Sequence, residues 1–462
     1  SELEVINKLG FVRYFLIVSF ICNFMTKNRI LFSIRGSGAG SLVCYLLYIS
    51  DIDPVENNLF FERFLNEARK KMPDIDIDVQ ADRRAEVIAH IIATFGCDKV
   101  ASLLAFSNYK TKSSIDAVAR FKKIPKEIIK NIKMYISRFD PTFEDNADEN
   151  ELEEGEITLS KHLILNNDLK TYLDDKPEIK KAIELAAQLQ GESGRKRSIS
   201  KHPAGIIISS TPLEQITTVT TDNGINILSC DKNIAEKEGL LKIDLLSSNI
   251  LEMHAKIETL IQKHSPDFSI KSLKMPEKLN YTDSSNSLGI FQLDTAIGTE
   301  LLRKISPKTL AEISATISIV RPGSRNNEFD KKYIEHKEAN TIDIAFGNAK
   351  ELLFDTYGLL LYQEQVIKIL VECGGFTQTD ADLARTAISS KDVEQLKKLK
   401  NKFIDGALSK GFDNSSASNI FDMIEKWAGY GFNKSHAYAY ALISKICIYL
   451  RHHYPKEFSC AL

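Results

Sequence analysis

The sequence predicts an α+β protein in which a helical segment interrupts a sheet-containing domain. Strand-like segments occur in two separate stretches, 1–105 and 200–250. The stretch between them, 106–199, has the pattern of helices rich in Lys, Ile and Leu, and the pattern of 251–462 is again helical with a few turns. The sequence shows no internal repeat, and no long Pro- or Ser-rich linker separates these stretches. We therefore expect 1–105 and 200–250 to form one domain, into which 106–199 is inserted.

The composition is that of an ordinary soluble globular protein, with 43% hydrophobic and 26% charged residues. The 462 residues are enough for roughly three domains with sizeable cores. The net charge is only −2, so any contact with nucleic acid has to come from local basic patches.

Cysteine usage and hydropathy predict a cytoplasmic protein without a membrane span. Seven scattered cysteines form no C-x-x-C pair and nine histidines are dispersed, which argues against a zinc site and for a reducing compartment. The apolar run 11–25 contains Arg13 and Asn23 and has no basic segment before it. It is also shorter than the roughly 20 residues that a span needs. We expect it to be a buried helix.

The first candidate site element is the glycine-rich segment RGSGAGS at 35–41. Its backbone can approach a phosphate closely, and LVCYLLYI (42–49) is predicted to be a helix whose N-terminus faces the anion. A glycine-rich loop alone is more often a tight turn.

The second element is the acidic segment PDIDIDV at 73–79. Alternate residues of a strand share a face, so Asp74, Asp76 and Asp78 are predicted to point to one side. Carboxylates in such a row repel one another and favour strands poorly. A Mg²⁺ ion relieves this conflict, because it binds one or two carboxylates together with substrate phosphates. An acidic strand edge alone is usually a solvated face, but with the glycine-rich segment it suggests metal-assisted nucleotidyl transfer. The spacing does not choose between Asp74/Asp76 and Asp76/Asp78.

Later segments add a third carboxylate and two charged stretches. GLLKIDLL (239–246) reads as an apolar strand that carries Asp244, which could complete a site for two metals about 3.5–4 Å apart. The alternative is a strand-end Asp that caps a turn. EDNADENELEEGE (144–156) is predicted to be a solvated or disordered loop without chemistry. Basic GRKRSISK (194–201) precedes the predicted strand AGIIISS (204–210).

Segments throughout the chain resemble, in order, the motifs of the C-family DNA polymerases, the family of the bacterial DNA polymerase III alpha subunit. The motif-bearing stretch 35–79 is similar to their palm. Further similar segments are ELEVINKLGFVRYFLIV (2–18), KHPAGIIIS (201–209), LLKIDLL (240–246), GIFQLD (289–294), IVRPG (319–323), YGLLLYQEQV (357–366) and AGYGFNKSHAYAYALIS (428–444).

The resemblance implies a nucleotidyltransferase-type palm with a mixed sheet at 1–105 and 200–250, a helical thumb at 106–199 and mostly helical fingers at 251–462. It assigns two Mg²⁺ ions to the three aspartates that match the family pattern, Asp74, Asp76 and Asp244. It assigns the triphosphate of the incoming nucleotide to Gly36, Ser37, Arg63 and Lys242, and the fingers side of the nucleotide to Arg321, Tyr430 and His436. Without the family, Arg63 could be a surface ion pair with Glu62 or Glu67, and His436 a core histidine.

Several departures from the family pattern indicate a divergent member. Ile34 stands where the family usually has glycine, and LLSSN (245–249) replaces a Leu-Gly-Leu run. DLARTAISSKD (382–392) keeps Arg385 but lacks the second Arg and the Gly-Lys-Lys that commonly follow. These changes affect the expected template contacts more than the metal site. The further domains that family members carry before the palm and after the fingers are not found here, which predicts an excised or a naturally reduced core.

The resulting expectation is a template-directed DNA polymerase core whose partners are primer-template DNA, dNTPs and, through domains outside this stretch, other replisome subunits. DNA phosphates could be contacted by Arg195, Lys196, Arg197 and Lys201, and by the lysines of LKKLKNK (396–402), although both could equally be solvated faces. Two alternatives remain open. One is a template-independent nucleotidyltransferase, and the other is a catalytically weak or inactive DNA-binding or assembly subunit.

Overall fold

The computed structural model describes most of the chain, with gaps. The described ranges are 2–66, 72–139, 158–191, 195–222, 224–230, 232–279, 287–321, 329–339, 347–390, 393–427 and 431–462. The acidic segment 144–156 and Tyr430 lie outside these residues.

The chain divides into two compact units. The first contains Ser1–Val100, Ala204–Ile208 and Leu241–Leu462, and the second contains Ala101–Pro203 and Ser209–Leu240. The division of the chain into palm, thumb and fingers at 105, 199 and 250 stays a prediction.

In each unit the described strands pair as a mixed sheet, as the α+β prediction requires. They are β1 (Phe32–Arg35), β2 (Asp76–Gln80), β3 (Val100–Asn108), β4 (Lys196–Ile208), β5 (Val219–Asp222), β6 (Ile225–Leu228) and β7 (Leu241–Ser248). In the first unit the order is β1-β2-β7-β4, with β4 represented by its last residues. In the second unit the order is β4-β3-β6-β5.

The register of the first unit brings the acidic residues of two distant segments side by side. Strand β1 runs antiparallel to β2 and pairs Arg35 with Asp76. Strand β2 runs parallel to β7 and pairs Asp76 with Asp244. Gly205 of β4 pairs with Asp244 from the other side. The strand starts at Asp76, so the prediction that 73–79 is a strand throughout was wrong for Asp74, which lies just before it.

The helices occupy most of the remaining chain. In chain order they are α1 (Glu2–Lys8), α2 (Val12–Lys27), α3 (Leu42–Leu46), α4 (Arg84–Phe95), α5 (Thr111–Lys122), α6 (Lys126–Phe139), α7 (Leu159–Leu165), α8 (Asn167–Asp174), α9 (Pro177–Gln190), α10 (Lys232–Lys237), α11 (Asn249–Gln262), α12 (Ala296–Ile305), α13 (Leu310–Val320), α14 (Phe329–Ala339), α15 (Gln363–Glu372), α16 (Gln378–Ser390), α17 (Val393–Ser409), α18 (Asn414–Trp427), α19 (Lys434–His453) and α20 (Pro455–Ala461). The predicted helical character of 106–199 and 251–462 is confirmed for most of the described residues. It was wrong for the two ends of 106–199, because β3 extends to Asn108 and β4 begins at Lys196.

Each unit has apolar cores of its own. In the second unit, α5 to α9 pack around Ile115, Ile132, Leu169 and Ile183. In the first unit, α11 and α19 share a core that includes Ile257 and Cys447, and α15 to α18 enclose a second that includes Phe403 and Phe421. Burial of such side chains contributes roughly 1.5–3 kcal/mol each.

The apolar run 11–25 forms most of α2, which buries Tyr14, Phe15, Val18, Ile21, Cys22 and Met25. The predicted buried helix is therefore confirmed. No single helix among the described residues is long and apolar enough to cross a membrane, although α1 and α2, bent by 113°, pass that test as a pair.

Candidate active site

Three carboxylates lie close together where the start of β2 pairs with β7. One oxygen from each of Asp74, Asp76 and Asp244 lies within 4.8 Å of the others. Asp76 and Asp244 are register partners on parallel strands, and Asp74 enters from the segment just before β2. Asp74 is exposed, Asp76 half-buried and Asp244 buried. The sheet therefore fixes two carboxylates while the third faces solvent.

This cluster is electrostatically unfavourable without a cation. Burial raises the pKa of Asp76 to about 7, and the negative charges of Asp74 and Asp244 add to the effect, while Arg35 and Lys242 oppose it. Asp244 Oδ1 is buried and has no hydrogen-bond partner among the described residues. An oxygen in that position normally finds a partner, and hard carboxylate oxygens suit Mg²⁺. The donor set therefore fits a divalent cation.

Lys242 lies on the same face of β7 as Asp244, two residues earlier, and pairs with it. Its Nζ lies 2.5 Å from Asp244 Oδ2, and both side chains are about one-tenth exposed. Burial alone would lower the pKa of Lys242, but the attraction of Asp244, Asp74 and Asp76 outweighs it, and the net shift is upward. Lys242 thus brings a permanent positive charge to the cluster.

Asp78 points to a different partner and is not among the clustered carboxylates. Its Oδ1 lies 3.6 Å from Arg35 Nη2. Burial raises the pKa of Asp78 to about 6, against the opposing charge of Arg35. Arg35 also donates from Nη1 to Tyr440 Oη at 2.8 Å. Arg35 and Tyr440 were not among the predicted site residues. The available signal was that Arg35 is the first residue of the glycine-rich segment 35–41.

Within the glycine-rich segment, Gly36–Gly40 forms a short 3₁₀ helix beside the carboxylates. Gly36 has φ +80°, and a Cβ there would lie 3.6 Å from Asp76 Oδ2. At Gly40 a Cβ would lie 2.8 Å from the Phe60 carbonyl oxygen and 2.9 Å from Ser435 Oγ. Glycine is thus required at position 36 for conformation and at position 40 for close packing. Ser37, between them, is half-buried.

The helix after this turn does not offer its N-terminus to a ligand, so that prediction was wrong. Helix α3 has only five residues. The Glu2 carboxylate accepts hydrogen bonds from the backbone N–H groups of Leu42 and Val43 at 2.9 and 3.0 Å, and from Ser41 Oγ at 2.7 Å. The anion at this helix end belongs to the protein itself.

Other predicted nucleotide ligands lie near Gly431 and Phe432, just before the start of α19. Arg63 donates from Nε to Gln363 Oε1 at 3.0 Å, and the Arg321 guanidinium lies 4.4 Å from the centre of the Phe432 ring. The ring of His436 contacts Phe432 and Tyr440, at centroid distances of 5.2 and 4.3 Å.

His436 is half-buried. Burial lowers its pKa to about 4, and the positive charges of Arg35 and Arg321 act in the same direction. The imidazole is therefore neutral near pH 7.

The four basic residues assigned to DNA belong to the second unit. Arg195, Lys196, Arg197 and Lys201 are all exposed. Lys196 Nζ lies 3.6 Å above the centre of the Phe106 ring. The structure thus presents these charges to solvent along one end of β4.

Comparison with known proteins gives matches over most of the chain. The family model "Bacterial DNA polymerase III alpha NTPase domain" matches residues 1–247, and the "Bacterial DNA polymerase III alpha subunit finger domain" matches residues 240–411.

Curated relatives match the chain from end to end. The DNA polymerase III subunit alpha of Aquifex aeolicus is 34% identical over 99% of this chain and 40% of its own length. Those of Borreliella burgdorferi and Campylobacter jejuni are each 35% identical over 100% of this chain, and over 39% and 38% of their own lengths. The chain thus spans about 40% of the length of the relatives it matches.

Proposed function

The chain belongs to the bacterial DNA polymerase III alpha-subunit family, and on this premise we propose that it is a template-directed DNA polymerase core that adds dNTPs to a primer 3′-hydroxyl and releases pyrophosphate. The observation that carries the proposal is the three-carboxylate cluster, in which a buried oxygen of Asp244 has no hydrogen-bond partner in the part of the chain that the structure describes. A carboxylate cluster with a basic side chain such as Lys242 beside it is the arrangement that metal-assisted phosphoryl transfer needs.

In the proposed mechanism Asp74, Asp76 and Asp244 are the residues that would hold two Mg²⁺ ions. When bound, these ions would lower the pKa of the primer 3′-hydroxyl and stabilise the negative charge that develops on the α-phosphate. Lys242 holds the carboxylate of Asp244 and, with Arg63, neutralises the negative charge that develops on the leaving pyrophosphate. Gly36 and Ser37 allow the triphosphate to approach the backbone.

The nucleotide contacts from the opposite side are assigned to Arg321, Tyr430 and His436. A neutral imidazole can shape the nucleotide pocket without adding charge, and the pKa of His436 supports that role. The exposed guanidinium of Arg321 lies over the Phe432 ring, where it keeps its positive charge and can contact a phosphate.

The palm is proposed for 1–105 and 200–250, the thumb for 106–199 and the fingers for 251–462. The partners are primer-template DNA and dNTPs, with replisome subunits contacted through domains outside this stretch. Exposed Arg195, Lys196, Arg197 and Lys201 are proposed to contact DNA phosphates. A replicative role in a bacterium predicts a cytoplasmic location.

Primer extension with and without a template, in the presence of Mg²⁺, tests the function. The proposal predicts products that follow the template sequence and that require Mg²⁺. Untemplated addition would favour a terminal nucleotidyltransferase. DNA binding without any extension would favour an inactive assembly subunit.

A further inference from the structure

Gln363 connects Arg63 with the segment Gly431–Phe432. The proposed function assigns Arg63 to the nucleotide, and the Phe432 ring contacts two other assigned residues, Arg321 and His436. We propose that Gln363 is a positioning residue that holds Arg63 against the segment Gly431–Phe432, and that this connection sets the affinity for the triphosphate. The inference rests on the proposed function, because Arg63 is assigned to the triphosphate there.

The side-chain amide of Gln363 bridges Arg63 and Gly431 through its oxygen and its nitrogen. Its Oε1 accepts from Arg63 Nε at 3.0 Å, and its Nε2 donates to the Gly431 carbonyl oxygen at 3.0 Å. Arg63 Nε can only donate and a carbonyl oxygen can only accept, so the orientation of the amide is unambiguous. The backbone N–H of Gln363 also donates to the Phe432 carbonyl oxygen at 2.9 Å.

The segment that Gln363 grips is itself closely packed. A Cβ on Gly431 would overlap the Trp427 ring, so the backbone lies directly against the indole. Phe432 N donates to the Leu361 carbonyl oxygen at 3.1 Å. The Phe432 ring contacts both Arg321 and His436. Gln363 therefore ties Arg63 to the segment that contacts two further candidate nucleotide ligands, Arg321 and His436.

The connection leaves the binding end of Arg63 available. Gln363 takes only the Nε–H, whereas the terminal nitrogens provide the fork that suits phosphate oxygens. A long arginine side chain loses rotamer entropy when it binds a ligand. Fixing it beforehand reduces this cost and so strengthens binding. The expected contribution of Gln363 is that of one hydrogen bond to a charged group.

The test is a double-mutant cycle on ligand affinity, with inorganic tripolyphosphate and Mg²⁺-dATP as the probes. Gln363→Met keeps the side-chain length but removes both hydrogen bonds. We expect it to weaken binding of both probes about tenfold in the wild-type background, and by less than about twofold in an Arg63→Ala background. Affinity for primer-template DNA and the melting temperature should not change. Gln262→Met is the matched control, because the half-buried Gln262 amide also donates to a carbonyl, that of Phe268, at 2.8 Å.

Two results would overturn the proposal. Equal losses from Gln363→Met in both backgrounds would show that Gln363 does not act through Arg63. A lowered melting temperature with a parallel loss of DNA affinity would show that Gln363 only stabilises the fold. Because binding is measured without turnover, a wild-type chain that bound both probes but failed to extend primers would contradict the proposed function and leave this cycle interpretable.

Discussion

The pKa of Asp76 is set jointly by burial, by neighbouring carboxylates and by nearby basic side chains. Its register partners are Arg35 on one side and Asp244 on the other. Since Asp74 and Asp244 raise its pKa while Arg35 and Lys242 lower it, its charge depends on what else is bound. A cation at the cluster favours the ionised form.

Metal-free stability should therefore depend on pH through Asp76. Its pKa is about 7 in the folded protein against an ordinary value of 3.8, so the folded state binds this proton more tightly than the unfolded state. The stabilisation is complete below about 3.8 and is lost as pH rises to about 7. Asp78, with a folded pKa of about 6, acts in the same direction. Thermal melting between pH 5 and 8 should show this fall, and Asp76→Asn should flatten part of it.

Added Mg²⁺ should reverse this loss. We expect Mg²⁺ to raise the melting temperature more at pH 8, where Asp76 is ionised, than at pH 6. An identical Mg²⁺ effect in Asp244→Asn would mean that the ion binds elsewhere.

Arg321 is predicted to serve nucleotide affinity without serving the fold, because its guanidinium lies on the face of Phe432 and is exposed. Arg321→Ala should raise the KM for dNTP by about ten- to a hundredfold and leave primer-template affinity unchanged. Lys242→Ala should lower kcat as well, since Lys242 contacts Asp244. A lower melting temperature with an unchanged KM would remove Arg321 from the site.

At the scale of elements, the glycine-rich turn is built for contact with its neighbours. Gly40→Ala would place a Cβ 2.8 Å from the backbone oxygen of Phe60, and such overpacking typically costs about 1–3 kcal/mol. Gly38→Ala is the matched control, because its Cβ would lie 3.5 Å from the nearest atom, a side-chain carbon of Ile75. We expect chemical denaturation to show a clear loss for Gly40→Ala and a small change for Gly38→Ala. Similar losses would mean that the turn is not held as tightly as described.

The elements that the sequence predicts well are those whose signal is local. Hydropathy was enough to place α2, β7 and the buried end of β4, because their buried residues are continuous in sequence. The exposed first part of β4, from Lys196, carries no such signal and was not predicted as strand. Strand pairing was a different matter. The register that sets Asp244 beside Asp76 joins residues that are far apart in the sequence, and no local pattern encodes it. Only the resemblance to a family could choose Asp74 over Asp78.

The contacts that sequence reasoning missed are likewise long-range. Glu2 caps α3 from forty residues away. Residues next to α3 in sequence therefore give no sign that its N-terminus is already occupied by a carboxylate. Gln363 meets Arg63 across 300 residues. Such side-chain partnerships depend on the packing of whole elements.

For the molecule as a whole, the small net charge of −2 limits how strongly it can hold DNA. Binding should rest on a few phosphate contacts and fall steeply with salt. Extension should therefore be distributive, a few nucleotides for each encounter. A primer-extension assay with excess competitor DNA, so that each enzyme binds once, should give short products. Long products under these conditions would contradict this prediction.

The most direct measurement is templated primer extension by three proteins in Mg²⁺: the wild-type chain, Asp76→Asn and Asp78→Asn. Removing a carboxylate from a two-metal site should cost several kcal/mol in the transition state, and thus about a thousandfold or more in rate. We predict templated extension by the wild type, its near-complete loss in Asp76→Asn with DNA binding retained, and a far smaller effect of Asp78→Asn, which faces Arg35. Equal rates for Asp76→Asn and the wild type would contradict the assignment of this cluster as the catalytic metal site.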